Sequence, residues 1–576
     1  MKSILSTLII LIYSFNSFSQ TVAPFLDWVK GYEHTLSGSP SSIAVDTSGN
    51  VFITGNFDDS LIVNNEVFDT YEFEIFDNND GFVMKLDKFG ELIWFKHIMS
   101  NSGSSYITSQ TTSSIVIDNN NDLIIVGSFF SSFKVDGETQ SAISSSNGES
   151  DCYILKLSTE GSFIWVKRIG GSGVDGGGRV AIDSENNVYI PGSFNLTVDF
   201  NPEPGVNNVE NLTSLGVSGG LIQSNNDAFL LKLNSNGLFV WVKHFSGSKS
   251  IVANSVVIDK NDDAIVSGQF LGTCHFVGVN GSFLYALNNT YSDRFVTKIN
   301  QNGEFVWIKE VNASNIGNVF VSSTFVDSDG AIYTTGSFRG AIDFDSGTDE
   351  FIINASIGTD IYIDKVDTEG NFVWAKSMKG VGAYAYGACV WLDLDKDIYL
   401  SGLFRDSVDF DPGSDERYLT PVSSESMFLL KLNNNGEFKW VKKTEGFSYA
   451  GPVTVDSEQN ILFFGAYYGS VKFNDFESDT ILNKERGMYL MKLKQVEDAV
   501  CCDNDEIIYY PNPTSDFVYF NTNKLLFISV SDLNGKIIKE IRSNSVSLVD
   551  LSGGIYFLSL YDEEDELIEV VKIIKY

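Results

Sequence analysis

The sequence predicts an all-β chain: a closed ring of seven four-stranded units, followed by a small β-sandwich. Three observations lead to that reading. First, seven tryptophans stand in one recurring phrase: Trp28 in DWVK, Trp94 in IWFK, Trp165 in IWVK, Trp241 in VWVK, Trp307 in VWIK, Trp374 in VWAK and Trp440 in KWVK, at steps of 66 to 76 residues. A fixed period of that size marks a repeat architecture. Second, four strand-like pieces recur in the same order within each period. Third, the series opens on a lone Trp strand, FLDWVK, and closes on a unit that lacks one. Four antiparallel strands, seven units and no helix-period segment describe a seven-bladed β-propeller.

The first strand of each unit ends in Asp: Asp46, Asp118, Asp183, Asp259, Asp327, Asp393 and Asp456. Asn or Asp follows four residues later (Asn50, Asp122, Asn187, Asp263, Asp397, Asn460), except in the fifth unit, which has Ala331. Such side chains bond nearby backbone N–H groups and build a turn. The second strand ends in Gly-x-aromatic, from Gly55 and Phe57 to Gly465 and Tyr467. After a long variable stretch the third strand carries Lys: Lys85, Lys156, Lys232, Lys298, Lys365, Lys431 and Lys492. A turn ending in Gly (Gly90, Gly161, Gly237, Gly303, Gly370, Gly436) then leads to the Trp strand. Alternating β-branched residues bounded by Asn, Asp and Gly are the strand signal. The last unit runs through Lys492 into KLKQVEDAV, with neither the turn Gly nor the Trp. The Trp28 strand is therefore expected to complete the last blade and leave no open edge.

This pattern resembles the SBBP family of bacterial β-propeller repeats, through AVDTSGNVFITG (44–55) and NNDAFLLKLNSNGLFVW (225–241). The resemblance covers nearly all of residues 21–497 and implies the fold, not a ligand.

Residues 1–19 read as a signal peptide: Lys2, an apolar stretch from Ile4 to Tyr13, and a short polar exit. That stretch is too short to span a bilayer, and no later segment is apolar enough to do so. The formal charge of −36 excludes the function classes that need a Lys/Arg surplus, namely nucleic-acid and anionic-lipid binding. Cys152, Cys274 and Cys389 fall at non-equivalent places in the repeats and read as small buried residues. Cys501 and Cys502 lie in a linker, 498–505, and have no zinc-site spacing.

From 506 the pattern changes. Residues 506–576 have no Trp and read as six or seven short strands, a small Ig-like β-sandwich. This tail closely resembles the type A C-terminal sorting domain of the Bacteroidota type IX secretion system. The matching pieces are Tyr510, Pro511, Asn512 and Pro513; Asp532 to Lys536 with Gly535; Leu551 to Tyr556 with Gly554; and Lys572 to Lys575. The resemblance implies passage across the outer membrane, recognition by the secretion machinery, and a sortase that attaches the cargo to the surface or releases it. Gly535 and Gly554 also suit turns, and Pro511 and Pro513 a rigid entry.

Catalytic patterns are absent. The four histidines (His34, His97, His244, His275) belong to no motif, and no G-x-S-x-G, H-E-x-x-H or P-loop occurs. Gly170–Gly178 is rich in glycine and reads as a flexible loop between strands, because a phosphate cradle wants a following helix and a Lys. Three acidic loops follow second strands: Asp199, Asn201 and Glu203; Asp343, Asp345 and Asp349; Asp409, Asp411 and Asp415. Alternating oxygen ligands suit Ca²⁺, and Asp393, Asp395 and Asp397 form a weaker case; Asp-Pro-Gly turns give the competing account.

The variable loops all leave one face, where binding usually lives. Two carry aromatics: Tyr384 and Tyr386, and Phe447 and Tyr449, which suit stacking on a glycan or peptide or packing at the channel mouth. The expectation is a secreted or cell-surface binding module with no cofactor beyond a candidate Ca²⁺, a glycan or protein ligand, and no enzymatic activity. The rival readings are a polysaccharide-acting enzyme and a purely structural surface component.

Overall fold

The computed structural model describes residues 23–34, 36–64, 66–69, 79–100, 110–130, 132–136, 143–144, 149–202, 210–214, 226–278, 281–286, 292–313, 317–380, 384–476, 478, 480–495, 509–510, 517–520, 526–533, 535–543, 545–548, 550–561 and 567–575. The signal segment, the linker with Cys501 and Cys502, Glu203, and Pro511, Asn512 and Pro513 lie outside these residues. Among the described residues, strands make up the secondary structure, with one 3-10 turn at Asn474–Phe476. Ala23–Gln495 form one compact unit, and the described residues of the other run from Tyr509 to Lys575.

The larger unit is a β-propeller-like repeat fold of seven antiparallel sheets. The second repeat shows the pattern: first strand Gln110–Ile117, second Leu123–Phe130, third Ser150–Leu157, fourth Phe163–Gly171, each paired with the next. First strands lie side by side around a central channel, and Val453–Val455 returns to touch Ser37–Val45. The seventh sheet takes its fourth strand from the N-terminal end of the unit. Phe25–His34 pairs with Ile481–Lys494, and Trp28 faces Lys492. In six other sheets the Trp faces the same Lys, from Lys85 and Trp94 to Lys431 and Trp440, with a bulge immediately after it. The closing pair is thus identical to the six internal ones, as the lone N-terminal Trp strand led us to expect.

The recurring Trp and turn Gly belong to one contact between neighbouring repeats. Gly161 has φ +78, which an L side chain rarely adopts, and a Cβ there would lie 3.1 Å from the Trp94 ring. The Trp94 indole N–H donates to Thr159 O at 3.0 Å in that same turn. Trp28 repeats the contact at Gly90, so the seventh sheet locks onto the first. A core of Phe57, Phe82, Leu462, Phe464 and Leu490, shared by those two sheets, buries the seam. Each such side chain contributes about 1.5–3 kcal/mol by burial.

The long stretches between second and third strands differ from the expected open loops. They fold into hairpins that extend the outer edge of the preceding sheet: Ser60–Val63 with Glu66–Asp69 joins Phe25–His34, and Ala341–Asp343 with Ile352–Asn354 joins Phe305–Ala313. Six sheets gain strands this way. An edge strand left bare offers unpaired N–H and C=O groups, and the hairpin covers part of them. The Trp28 strand is therefore not the outermost strand of its sheet. Gly170–Gly178 also departs from the loop expectation. Gly170 and Gly171 end a strand, Gly176–Gly177 pairs with the next, and a Cβ on Gly171 would come 2.1 Å from Thr197 O. Close backbone approach, not mobility, explains those glycines.

The tail forms two antiparallel sheets, one of three strands and one of four, around Val518, Ile528, Val530, Leu558, Leu560 and Ile573.

Candidate functional site

The repeated Asp does two jobs, only one of them read from the sequence. Asp118 Oδ1 accepts the N–H groups of Asn120 and Asp122, both at 2.9 Å, which closes the turn. Its Oδ2 meets Lys156 Nζ at 2.7 Å, and both side chains are buried. Burial alone would weaken the Lys156 ammonium's hold on its proton, but the bonds from Asp118 and Asp122 outweigh it and raise its pKa. The same pair recurs as Asp183–Lys232, Asp259–Lys298, Asp393–Lys431 and Asp456–Lys492. The recurrence identifies these ions as framework.

A second buried carboxylate opens the third strand: Asp80, Asp151, Asp227, Asp293 and Asp360. Its neighbour seventeen residues on changes from repeat to repeat. His97 and His244, which the sequence left unassigned, are those neighbours for Asp80 and Asp227, each at 2.7 Å. Arg168 lies 3.7 Å from Asp151. In the fourth repeat the neighbour is Glu310, itself a carboxylic acid. Burial and then Asp293 push Glu310 up to about 7, and burial pushes Asp293 up to about 6. Asp293 Oδ1 accepts the Ala313 N–H at 2.7 Å. Asp293, and Asp360 through the Gly380 N–H at 3.0 Å, thus hold the backbone of the fourth strand.

The aromatic candidates come together. Tyr386, on the strand Ala385–Leu392, and Tyr384, just before it in a bridge with Thr359, hold their rings 6.3 Å apart with planes tilted by 4°. They are 48% and 38% exposed, enough for a flat ligand to reach them. Phe447, Tyr449 and Tyr468 form a second group with centroids 5.1–5.7 Å apart. The Arg405 guanidinium sits 5.5 Å from the Tyr384 ring and bonds Glu425; that of Arg486 sits 5.3 Å from Tyr468. Burial, then the Glu425 carboxylate, raises the Tyr449 phenol. Tyr386 and Tyr449 both stand seven residues before the Asp of their repeat. The same offset in the fifth repeat gives Phe320, 39% exposed, which the sequence reading missed although the offset could have found it. Arg339 and Arg405 share the position three residues after the second-strand Gly. Three adjacent repeats thus present aromatic rings and arginines at the same end of their inner strands.

The acidic-loop candidates lie in the hairpins. Asp343 Oδ1 accepts the N–H groups of Asp345 and Phe351, and Asp345 Oδ1 that of Gly347. Asp409 and Asp411 repeat this with Asp411, Arg417 and Gly413. One oxygen of each carboxylate therefore closes its own turn. Among the described residues no three His, Cys, Asp or Glu side chains gather as a metal site.

In the tail, Asp532 Oδ1 accepts the Lys536 N–H at 3.0 Å, and Gly535 has φ +76, so the turn requires its glycine. Gly554 differs from expectation. It begins the strand Gly554–Tyr561, and a Cβ there would meet only ordinary contacts, the nearest 3.8 Å away. The Tyr556 hydroxyl donates to Ser552 O at 2.7 Å, and Lys575 Nζ donates to Leu551 O at 2.7 Å. The terminal Lys therefore ties down the loop that carries the Ser-Gly-Gly segment.

Residues 508–575 match the secretion system C-terminal sorting domain family. The chain is accordingly a secreted or outer cell-surface protein, passed to the type IX secretion machinery through this tail. Among the described residues no helix is long and apolar enough to cross a membrane. The chain is 24% identical over 400 residues to an uncharacterized WD repeat-containing protein, L264, of Acanthamoeba polyphaga mimivirus; the match covers 57% of this chain and 28% of that protein. Similar solved structures include a protein of unknown function from Bacteroides caccae (11% identity, TM-score 0.27, 60% of this chain and 83% of that one). Another is Sqt1 from Chaetomium thermophilum (10% identity, TM-score 0.33, 82% and 100%).

Proposed function

We propose that residues 21–497 form a seven-bladed propeller of SBBP-type repeats, carrying a signal peptide before it and an Ig-like sorting domain after it. Its function is non-catalytic binding outside the cell, with a glycan stacked on the arc of Tyr384, Tyr386, Phe447 and Tyr449. The observation that supports this is the exposed, parallel pair Tyr384 and Tyr386 at the start of the inner strand Ala385–Leu392, since sugar faces and aromatic rings pair through apolar contact. Two of the carboxyl groups with raised pKa hold backbone N–H groups: Asp175 binds those of Gly171 and Asn195, and Asp293 that of Ala313. They favour a structural role over a glycosidase pair.

A glycan array probed with the full chain, with and without Ca²⁺, tests the reading. A double change of Tyr384→Ala and Tyr386→Ala is expected to abolish capture while leaving the melting curve intact. Undiminished capture by that variant would discard the site, and release of shortened glycan would discard the non-catalytic role. Removal of 506–576 is expected to leave a folded propeller in the periplasm, unprocessed by any sortase; normal surface display would count against the tail's role.

A further inference from the structure

The channel at the centre of the larger unit ends in a cavity of 490 Å³, within the size range of small-molecule sites. All seven inner strands line it. Its wall is mostly apolar, with Val116, Ile182, Val257, Phe325, Trp391 and Val455 contributing. Deeper in, each strand offers the residue four before its Asp. There the lining is Ser42, Ser114, Ser255, Ser323, Cys389 and Pro452, and in the third repeat Arg179. In a chain of net charge −36, this lining contains one charged residue, and it is a cation.

Arg179 is held in place from several sides. Its N–H donates to Asn254 O at 3.0 Å. One terminal nitrogen, Nη1, reaches Ser323 Oγ at 3.0 Å and Cys389 Sγ at 3.5 Å; the other, Nη2, reaches Ala388 O at 3.2 Å. Those acceptors belong to the fifth and sixth repeats, so the side chain crosses the channel and forms its floor. A guanidinium has five N–H donors. Three are used, and the Nε–H and one Nη2–H have no protein acceptor among the described residues. A cation that served only as a staple would be expected to spend its remaining donors on carbonyl groups, which line every strand.

We propose that this cavity binds a small organic monocarboxylate with an apolar, ring-sized body. The carboxylate would take the free edge of Arg179, the geometry in which a guanidinium recognises that group. The serine hydroxyls would satisfy its other lone pairs, and Phe325 and Trp391 would cover the ring. The turns that follow these strands carry exposed Glu185, Asp329 and Glu458 beside Lys260 and Lys396, and Lys396 pairs with Asp329. The rim is mixed in sign, and selection is local: one charge deep inside, apolar contact around it. A single deep cation favours a monoanion over a polyanion. The inference stands apart from the aromatic arc, which lies at the other end of the same strands.

Isothermal titration of the full chain with 2-naphthoate, and with 2-naphthalenemethanol as its uncharged counterpart, tests it. Saturable one-to-one binding of the carboxylate is expected, with the alcohol weaker by about tenfold or more, the range of a charge-assisted hydrogen bond. Arg179→Gln should reduce naphthoate affinity to that of the alcohol. If that variant fails to fold, Ala44→Trp fills the cavity without touching Arg179, and should abolish binding with an unchanged melting curve. Equal affinity for acid and alcohol, binding that survives Ala44→Trp, or no saturable binding at all would each overturn the proposal.

Discussion

Two sets of buried aspartates run through the larger unit, and the same residue type behaves in opposite ways in them. In five of the repeats the Asp that ends the first strand meets a Lys from the third strand, and its carboxylate serves the turn with its other oxygen. For Asp183, burial favours the neutral acid, but the bonds from Asn187 and the Lys232 ammonium win, and its pKa falls. The Asp that opens the third strand meets His97, Arg168, His244 or Glu310. Where the neighbour is Glu310, burial wins, and both acids rise. Asp183 and Asp293 are both nearly free of solvent and burial is the largest cause acting on each, but only Asp183 has an ammonium and side-chain hydrogen bonds that outweigh it. A repeated residue with a repeated partner is framework, whereas a repeated residue with a changing partner is where one repeat can acquire chemistry the others lack.

The largest effect should come from breaking a framework pair that has no substitute. Lys492 Nζ lies 2.8 Å from Asp456, and both are buried. Asp456→Ala would strand the ammonium and free two turn N–H groups, those of Glu458 and Asn460. Removing one partner of a buried pair costs about 3–5 kcal/mol. Asp118→Ala should cost less, because Asp122 stays 3.2 Å from Lys156. Equal losses in the two variants, read from urea unfolding, would show that the ion pair is not what carries the stability.

Next in size is a single-copy ion pair. Arg294 and Asp364 form a bidentate contact at 2.5 and 2.8 Å, both nearly free of solvent. Asp364→Ala should destabilise within the same range, about 3 kcal/mol or somewhat more. Replacing both partners by apolar residues should restore most of the loss, since the desolvation cost disappears with the charges. A double variant as unstable as the single one would contradict this.

The Asp293–Glu310 pair of the varying set, together with Asp175 in the Gly170–Gly178 segment, predicts a pH dependence. Asp175 and Glu310 are pushed up to about 7 and Asp293 to about 6, from ordinary values of 3.8 and 4.5, each chiefly by burial. The native state therefore keeps protons that the unfolded chain has already released. Their contribution is full below about pH 4 and is lost as pH rises through 6 to 7. Repulsion within an acidic surface works in the same direction, so the informative quantity is a difference. Glu310→Gln should match the wild type near pH 4 and melt higher near pH 8. A variant that melts lower at pH 8 would mean that the Glu310 charge is stabilised by something other than these groups.

What could be read from sequence follows from these same distinctions. The Trp, the turn Gly, the Asp and the Lys recur seven times or nearly so, and the strand register and the Trp28 closure follow from their order. The Asp–Lys contact was visible as two motifs but not as one bond, because the partners are about 38 residues apart along the chain. His97 and His244 share a seventeen-residue offset from Asp80 and Asp227, a signal that was present and not used. Phe320 was missed in the same way. The hairpins were out of reach: their strands are two to six residues long, too short for alternation to register, and they pair with a neighbouring repeat. Arg294 and Asp364 occur once each, seventy residues apart, and carry no periodic mark.

The smallest effect concerns a third kind of aspartate, half-buried and bonded to its own hairpin turn. Asp343 and Asp409 each hold two backbone N–H groups through Oδ1. An Asn side chain offers the same carbonyl acceptor, so Asp343→Asn with Asp409→Asn keeps the turn and removes only charge. Surface changes of that kind usually stay within about 0.5 kcal/mol. Calcium makes the test sharper. A cation held by these loops would stabilise the native state by mass action, and millimolar Ca²⁺ would then raise the melting temperature above that seen in NaCl of matched ionic strength, an increment the Asn variant would lose. The committed Oδ1 atoms, and the lack of any third ligand grouped with them among the described residues, lead us to expect coincident curves in Ca²⁺ and NaCl. Separation of the curves in the wild type and their merger in the variant would move these aspartates out of the turn-building class and into the set whose partner sets its chemistry, with the partner in this case a metal.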